Sequence, residues 1–222
     1  GSLERALKMV GVAKKAGADA VKFQTFFPDL LVTDYAKLWG AANENGPESI
    51  FEIQYKTGGQ GEGSGYFEYF ASIIGRAGGV GGGNTPMNMT PDLLASYQTG
   101  DLRFAKSVFT NRRTPDTTYS LKYISTQTTT FDGDNNWYVA RYADVLLMLA
   151  EALGESAQSY TYINQVRARA GLPAISATTP GTFAQKLLDE RRVEFALENH
   201  RWQDLLRFGV AKATMAKQLA VP

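Results

Sequence analysis

The sequence predicts a mainly α chain: tetratricopeptide-like antiparallel helical hairpins with long loops and a few short strands, led by a short helix-strand unit. Three observations carry this expectation. Apolar residues recur at i, i+3, i+4 and i+7 steps through "YVARYADVLLMLAEAL" from Tyr138. A second periodic stretch, Tyr160 to Ala170, is stopped by Gly171 and Pro173. A third, "LLDERRVEFALENHRWQDLLRF" from Leu187, packs acids, arginines and a tryptophan at helical spacing.

In chain order, "LERALKMVGVAKK" from Leu3 places Leu3, Leu7, Val10, Val12 and Ala13 near one helical face, and Gly17 stops it. "DAVKFQTFF" then alternates like a strand until Pro28. "DYAKLWG" reads as a short helix, Asn45-Gly46-Pro47 as a loop, and Ser49 to Tyr55 as a strand. Two glycine-dense segments, from Gly58 and from Gly75, flank the aromatic run "YFEYFASII" and imply long irregular loops. Thr90 caps a short helix with Pro91 at its first position, ending near Gly100. From Thr110 to Asn136 the residues are Thr, Asp, Asn and Gly in abundance, a surface of loops and at most short hairpins. The periodic helix from Tyr138 ends at Gly154, with Val139, Tyr142, Ala143, Leu146, Leu149, Ala150 and Leu153 as its stripe. The last pair of helices turns near Asn199, which tolerates a left-handed backbone, and buries Leu187, Leu188, Phe195, Trp202, Leu205 and Leu206.

Composition narrows the chemistry. With 222 residues the chain can bury a core, and a hydrophobic content of 44% argues for a globular fold. A net charge of +1 gives no cationic field for a nucleic-acid backbone, so no nucleic acid is expected as partner. Cys 0 and His 1 leave no disulfide, no thiol nucleophile and no cysteine or multi-histidine zinc site. No metal and no cofactor are expected. No apolar run reaches the roughly 20 residues of a membrane helix, and the start shows no signal-peptide core.

Glu190, Glu194 and Glu198 stack like charges at i, i+4, i+8, which an isolated helix would resist. Arg191 and Arg201 nearby, with Arg141, Arg167 and Arg169 from the preceding hairpin, make interhelical ion pairs the simplest reading. A glycosidase would need two carboxylates about 5 to 10 Å apart across an open cleft. Neighbouring arginines depress a carboxylate pKa, whereas a general acid needs it raised, so no catalytic residue is assigned. Sugar binding needs flat aromatic faces for the pyranose ring and Asn, Asp or Gln for its hydroxyls. Two loops combine both: "GSGYFEYF", with Tyr66, Phe67 and Tyr69, and "DGDNNWYVARY", with Asp134, Asn135, Asn136, Trp137 and Tyr138. The bland alternative is that these aromatics anchor the loops to the helices. A phosphate cradle at the glycines lacks its Lys-Ser/Thr pair, and "DGDNN" lacks the length and terminal glutamate of a calcium loop.

"RYADVLLMLAEAL", "YINQVRARAGLP" and "LDERRVEFALENHRWQDLLRFG", in this order, resemble the carboxy-terminal signature of the SusD-like (RagB) family. "TDYAKLWG", "PESIFEIQY" and "TPDLLASYQTGDLRF" are similar to its preceding segments, so the resemblance runs from about residue 34 to 210. It implies a lipoprotein on the outer face of the cell outer membrane that captures an oligosaccharide or other nutrient. The ligand would pass to a SusC-like TonB-dependent transporter, without catalysis. The family's turn glycine is Asn199 here, and its lipobox cysteine and amino-terminal half do not appear. Residues 1–33, "GSLERALKMVGVAKKAGADAVKFQTFFPDLLVT", resemble instead a helix and strand of the sialic acid synthase family, in which a lysine placed like Lys22 helps bind the phosphoenolpyruvate phosphate. The chain therefore divides into a leader, 1–33, and a helical domain, 34–222. Besides glycan capture, two further functions remain open at this point: a helical protein-interaction scaffold without a small ligand, and a synthase-type fragment. A closed barrel takes about 250 residues, which one helix-strand unit cannot supply.

Overall fold

The computed structural model describes residues 30–70, 89–110, 118–125 and 129–219. The leader helix and strand, and the glycine segment from Gly75, lie outside the described residues. Among those described, helices predominate: α1 Tyr66–Phe70, α2 Pro91–Leu94, α3 Phe104–Ser107, α4 Tyr142–Leu153, α5 Ala157–Arg169, α6 Phe183–Glu194, α7 Arg201–Arg207 and α8 Ala211–Leu219. Two short two-stranded antiparallel sheets accompany them, β1 Ser49–Ile53 with β4 Trp137–Arg141, and β2 Phe109–Thr110 with β3 Thr118–Tyr119.

Helices α4 and α5 form an antiparallel hairpin because Gly154 takes a left-handed backbone (φ 65) and Ser156 then caps α5, its hydroxyl accepting from the Ser159 amide. Their facing residues Ala143, Leu146, Leu147, Ala150, Tyr160, Ile163 and Val166 build one core with Leu187 and Phe195. Burying a Leu or Ile side chain of this kind contributes about 1.5–3 kcal/mol. Helix α6 is capped by Thr182 and packs on both members of the hairpin. Between α6 and α7 the chain turns through two left-handed residues, Leu197 (φ 65) and Asn199 (φ 64), so the hinge near Asn199 is present and shared with Leu197. Arg207 of α7 reaches Glu151 of α4 at 2.6 Å and closes the bundle.

Several expectations are corrected. Trp137–Arg141 is a strand, and the helix begins at Tyr142. The reason is tertiary: Ser49 and Ile53 of β1 pair with Arg141 and Trp137, which satisfies backbone groups that a helix would have satisfied locally. The Thr90-capped helix stops at Leu94, well before Gly100. Leu149, Leu153, Trp202 and Leu206 are exposed, since α4 and α7 each turn only one side toward the bundle. The Thr110–Asn136 segment is not all surface: Lys122 and Tyr123 are buried, held by partners far along the chain.

A second core is aromatic. Tyr35, Leu38, Trp39, Phe70, Tyr123 and Tyr138 enclose it, with Tyr66 and Trp137 at its partly exposed edge. Each buried phenol finds a carbonyl: Tyr35 Oη donates to Glu194 O, Tyr138 Oη to Leu38 O and Tyr123 Oη to Leu197 O.

Candidate functional site: an aromatic platform over a buried ion network

The charges of α6 lie inside. Glu194 accepts from Arg141 Nη1 at 2.5 Å, from Arg103 Nη1 at 3.0 Å and from Arg169 Nη2. Glu190 takes Arg103 and Arg167, and Glu198 takes Arg141 and Lys122. Glu48 binds Arg141 and Arg169, each at 2.8 Å, and Asp101 binds Arg103. Arg103, Arg141, Arg167, Arg169 and Lys122 thus face as many carboxylates, all nearly sealed from water. Burial alone would raise the Glu194 carboxyl, but Arg169, Arg141 and Arg103 outweigh it and hold it well below the usual range. Glu198 is lowered likewise by Arg141 and Lys122 against burial. Burial presses Lys122 down to about 8, with Glu198 opposing. Glu194 and Glu198 accept from fixed cations that hold them ionised, which is the reverse of a general acid's surroundings.

Arg191 pairs outside this network, with Asp144 and Asp204. Arg201 is a correction: it forms none of the ion pairs found among the described residues, and its Nη1 is buried without a hydrogen-bond partner. Glu48, Asp101, Arg103 and Lys122 were missed from the sequence, because they lie on three segments far from α6 and carry no local periodic signal. His200 packs its ring on Phe195, 4.6 Å between centroids.

The two aromatic-polar loops do meet. Tyr66 and Trp137 sit 4.4 Å apart between ring centroids, Trp137 stacks on Tyr123 at 5.4 Å with an interplanar angle of 12°, and Tyr55 meets Tyr66 edge-on. Tyr55, Tyr66 and Trp137 are each partly exposed, so the inner core presents a ring surface to solvent. Tyr69 is 45% exposed and pairs with Phe131, also open. The exposed rings are tilted or edge-on to one another, and only Trp137 lies parallel to the buried Tyr123 beneath it.

What aligns the loops is a set of carboxylate and amide ties. Asp132 accepts from the amides of Gly58 and Gly59 and from the Thr57 hydroxyl, which holds its carboxyl below the usual value. The glycine loop therefore does cradle an anion, and the anion is the chain's own Asp132. Gly63 allows the approach: a Cβ there would stand 2.5 Å from Asp132 Cα. Asp134 accepts from the Thr57 amide and from Lys56 Nζ at 3.1 Å. Asn136 accepts from the Tyr55 amide and donates to Glu52 and Gln54, while its own amide donates to Glu44 at 2.7 Å. Burial raises the Glu44 carboxyl to about 7.

This geometry sorts the residues singled out for sugar contact. Phe67, Asn135, Asn136 and Tyr138 are buried; Asn135 Nδ2 donates to Ile124 O while its Oδ1 has no partner, Tyr138 donates to Leu38 O, and Asn136 is held as above. They shape the loops and cannot meet a ligand directly. Tyr66, Tyr69, Asp134 and Trp137 keep accessible surface, and Tyr55 joins them although the sequence reading passed over it. Its one local signal was its place at the end of a strand beside the glycine loop.

This helical-hairpin scaffold, built round a buried ion network, is the helical fold of SusD-like proteins. The SusD family model matches residues 104–220, and the chain belongs to the SusD family. SusD-like protein P38 of Formosa agariphila is 32% identical over 138 residues, 57% of this chain and 27% of that protein. A laminarin binding SusD-like protein is 26% identical with a TM-score of 0.71, over 93% of this chain and 51% of that one. Surface glycan-binding protein A from Bacteroides thetaiotaomicron, solved in complex with laminarihexaose, matches at 23% identity and a TM-score of 0.63, over 87% of this chain and 48% of that one. The chain thus spans about a quarter of P38 and about half of these structural neighbours. A separate 37-residue match, 60% identical, is to the pseudaminic acid synthase of Campylobacter jejuni and covers 17% of this chain and 11% of that enzyme. Among the described residues, no helix is long and apolar enough to cross a membrane.

Proposed function

We propose that this chain takes part in non-catalytic glycan capture at the outer face of the bacterial outer membrane, with hand-over of the ligand to a SusC-like TonB-dependent transporter. The observation that carries the reading is the Tyr66–Trp137 pair, 4.4 Å between ring centroids, partly exposed and flanked by Tyr55 and Asp134. A pyranose ring would stack on this surface, and Asp134 and the Tyr hydroxyls would take its polar edge. Two structural neighbours, one laminarin-binding and one solved with laminarihexaose, make β-glucan oligosaccharides the first ligands to try.

The test is a tryptophan-fluorescence titration of the folded chain with laminarihexaose and a panel of other soluble oligosaccharides. Saturable quenching that disappears in Trp137→Ala supports the reading. A folded chain silent toward every glycan in the panel would sink it. Co-purification with a transporter of the TonB-dependent class, abolished when the chain is withheld from the outer membrane, would support the second half independently.

A further inference from the structure

Beneath the turn joining α6 to α7 lies a cavity of about 280 Å³, lined by Thr90 and Leu93, by the apolar stretch 195–197, and by Arg191, Arg192, Asn199 and Arg201. Three arginines line it and, among the described residues, no carboxylate does. Their states differ. Arg191 is committed, its Nε on Asp204 and its Nη1 on Asp144. Arg192 spends one nitrogen, at 2.6 Å, on Asp92, which is 64% exposed. Arg201 spends none in an ion pair, and its Nη1 is sealed from water without a partner. A buried guanidinium N–H with nothing to donate to is uncommon and costs stability.

Among the described residues no group makes a hydrogen bond to it, and Asp204 Oδ2 is likewise buried without a partner. The carbonyls at the end of α6 are engaged elsewhere: Arg191 O by the Phe195 amide, Glu194 O by Tyr35 and Arg141, Ala196 O by Lys122 and Leu197 O by Tyr123. Asp204 accepts at Oδ1 from Arg191 and Arg207, and it does not line the cavity. Burial, then the neighbouring Arg192, disfavour the charged form of Arg201 and outweigh Asp189, Asp204 and Asp92, which favour it. The volume falls just short of the ~300–1,000 Å³ of pockets for drug-sized ligands, and so suits one charged substituent better than an oligosaccharide.

We propose that this cavity is an oxyanion site that takes the carboxylate or sulfate group of a small anionic ligand, with Arg201 and Arg192 as its donors. It shares no residue with the aromatic platform and stands whether or not that platform binds sugar. A planar guanidinium fork matches either oxyanion through paired N–H donors.

The whole chain is titrated with sodium sulfate, with D-glucuronate and with D-glucose, ionic strength being held constant with chloride. Thermal unfolding and the emission of Trp202, half exposed beside Arg201, are recorded. The expected result is saturable binding of sulfate and glucuronate, none of glucose, and at least about tenfold weakening of both anions in Arg201→Gln. Without anion, Arg201→Gln should unfold no earlier than the wild type, because it removes an unpaired buried donor; a purely structural arginine would lower that midpoint. Glucuronate binding more tightly than sulfate places the oxyanion on a sugar, and the reverse order places a free inorganic anion there. Sulfate effects that never saturate, or that are equal in wild type and Arg201→Gln, overturn the proposal. Should Arg201→Gln not fold, Arg192→Gln replaces it, since the Arg192 partner is exposed; undiminished sulfate binding in that variant overturns the proposal equally.

Discussion

The ion network of α6 and the aromatic platform over β4 both draw on residues far apart in the chain, but they use water in opposite ways. In the network, each carboxylate meets cations inside the fold: Glu194 alone takes Arg103, Arg141 and Arg169. In the platform, Tyr66 and Trp137 satisfy one face against Tyr123 and leave the rest toward solvent. Closed pairing makes the first a structural device, and incomplete coverage leaves the second open to a ligand. The same contrast separates Glu194, which is buried and fully paired, from the partly buried Arg201, whose Nη1 has no partner.

The comparison breaks most severely at Arg141. Arg141→Ala would leave Glu48, Glu194 and Glu198 each one cation short, and removing one member of a buried pair costs about 3–5 kcal/mol. Urea unfolding should show that loss, and a change within 1 kcal/mol of zero, by the same yardstick, would mean that the network is more hydrated than its burial indicates. Acid acts on the same groups. The folded values of Glu194 and Glu198 lie below their unfolded ones, so their stabilisation is complete above the unfolded value of about 4.5 and is lost as the pH falls through the folded values. A thermal midpoint that falls steadily below that pH is expected, with a shallower fall in Glu198→Gln.

Trp137→Ala sits next. It should lower glycan affinity about tenfold or more while unfolding remains cooperative, since stacked aromatic contacts contribute about 0.5–1.5 kcal/mol beyond the area they bury. Loss of folding without a separable binding defect would make the platform an extension of the core.

Asp132→Ala tests whether the loops need their tie. Hydrogen exchange at Thr57, Gly58 and Gly59 should quicken, and glycan affinity should drop less than in Trp137→Ala. Unchanged exchange would show that the Ser64–Gly133 bridge holds the loops by itself.

The smallest effect belongs to Glu44. Its folded value, about 7, lies above its ordinary one, so the stability it contributes is full below the unfolded value and is lost as the pH rises through about 7. Glu44→Gln should flatten the stability profile between pH 5 and 8, and an unaltered slope in that window would assign the titration elsewhere.

The sequence by itself determined what depends on neighbours within a few positions. The 3.6-residue period placed α4, α5 and α6, Gly154 and Gly171 ended the hairpin helices, and Asn199 marked the hinge. The same period could not tell which side of α4 or α7 would find a partner, so Leu149, Leu153, Trp202 and Leu206 were read as core and are exposed. Tyr66 and Trp137 could be named as candidates, because loop aromatics beside polar residues are visible locally. Only the tertiary structure decided that they meet, that Asn135 and Asn136 turn inward, and that residues 137–141 form a strand. It alone brought Glu48, Arg103 and Lys122 to α6 and left Arg201 unpaired. Caps, turns and helical period are short-range and written into adjacent residues, whereas ion pairing and stacking are set by which segments the fold packs together.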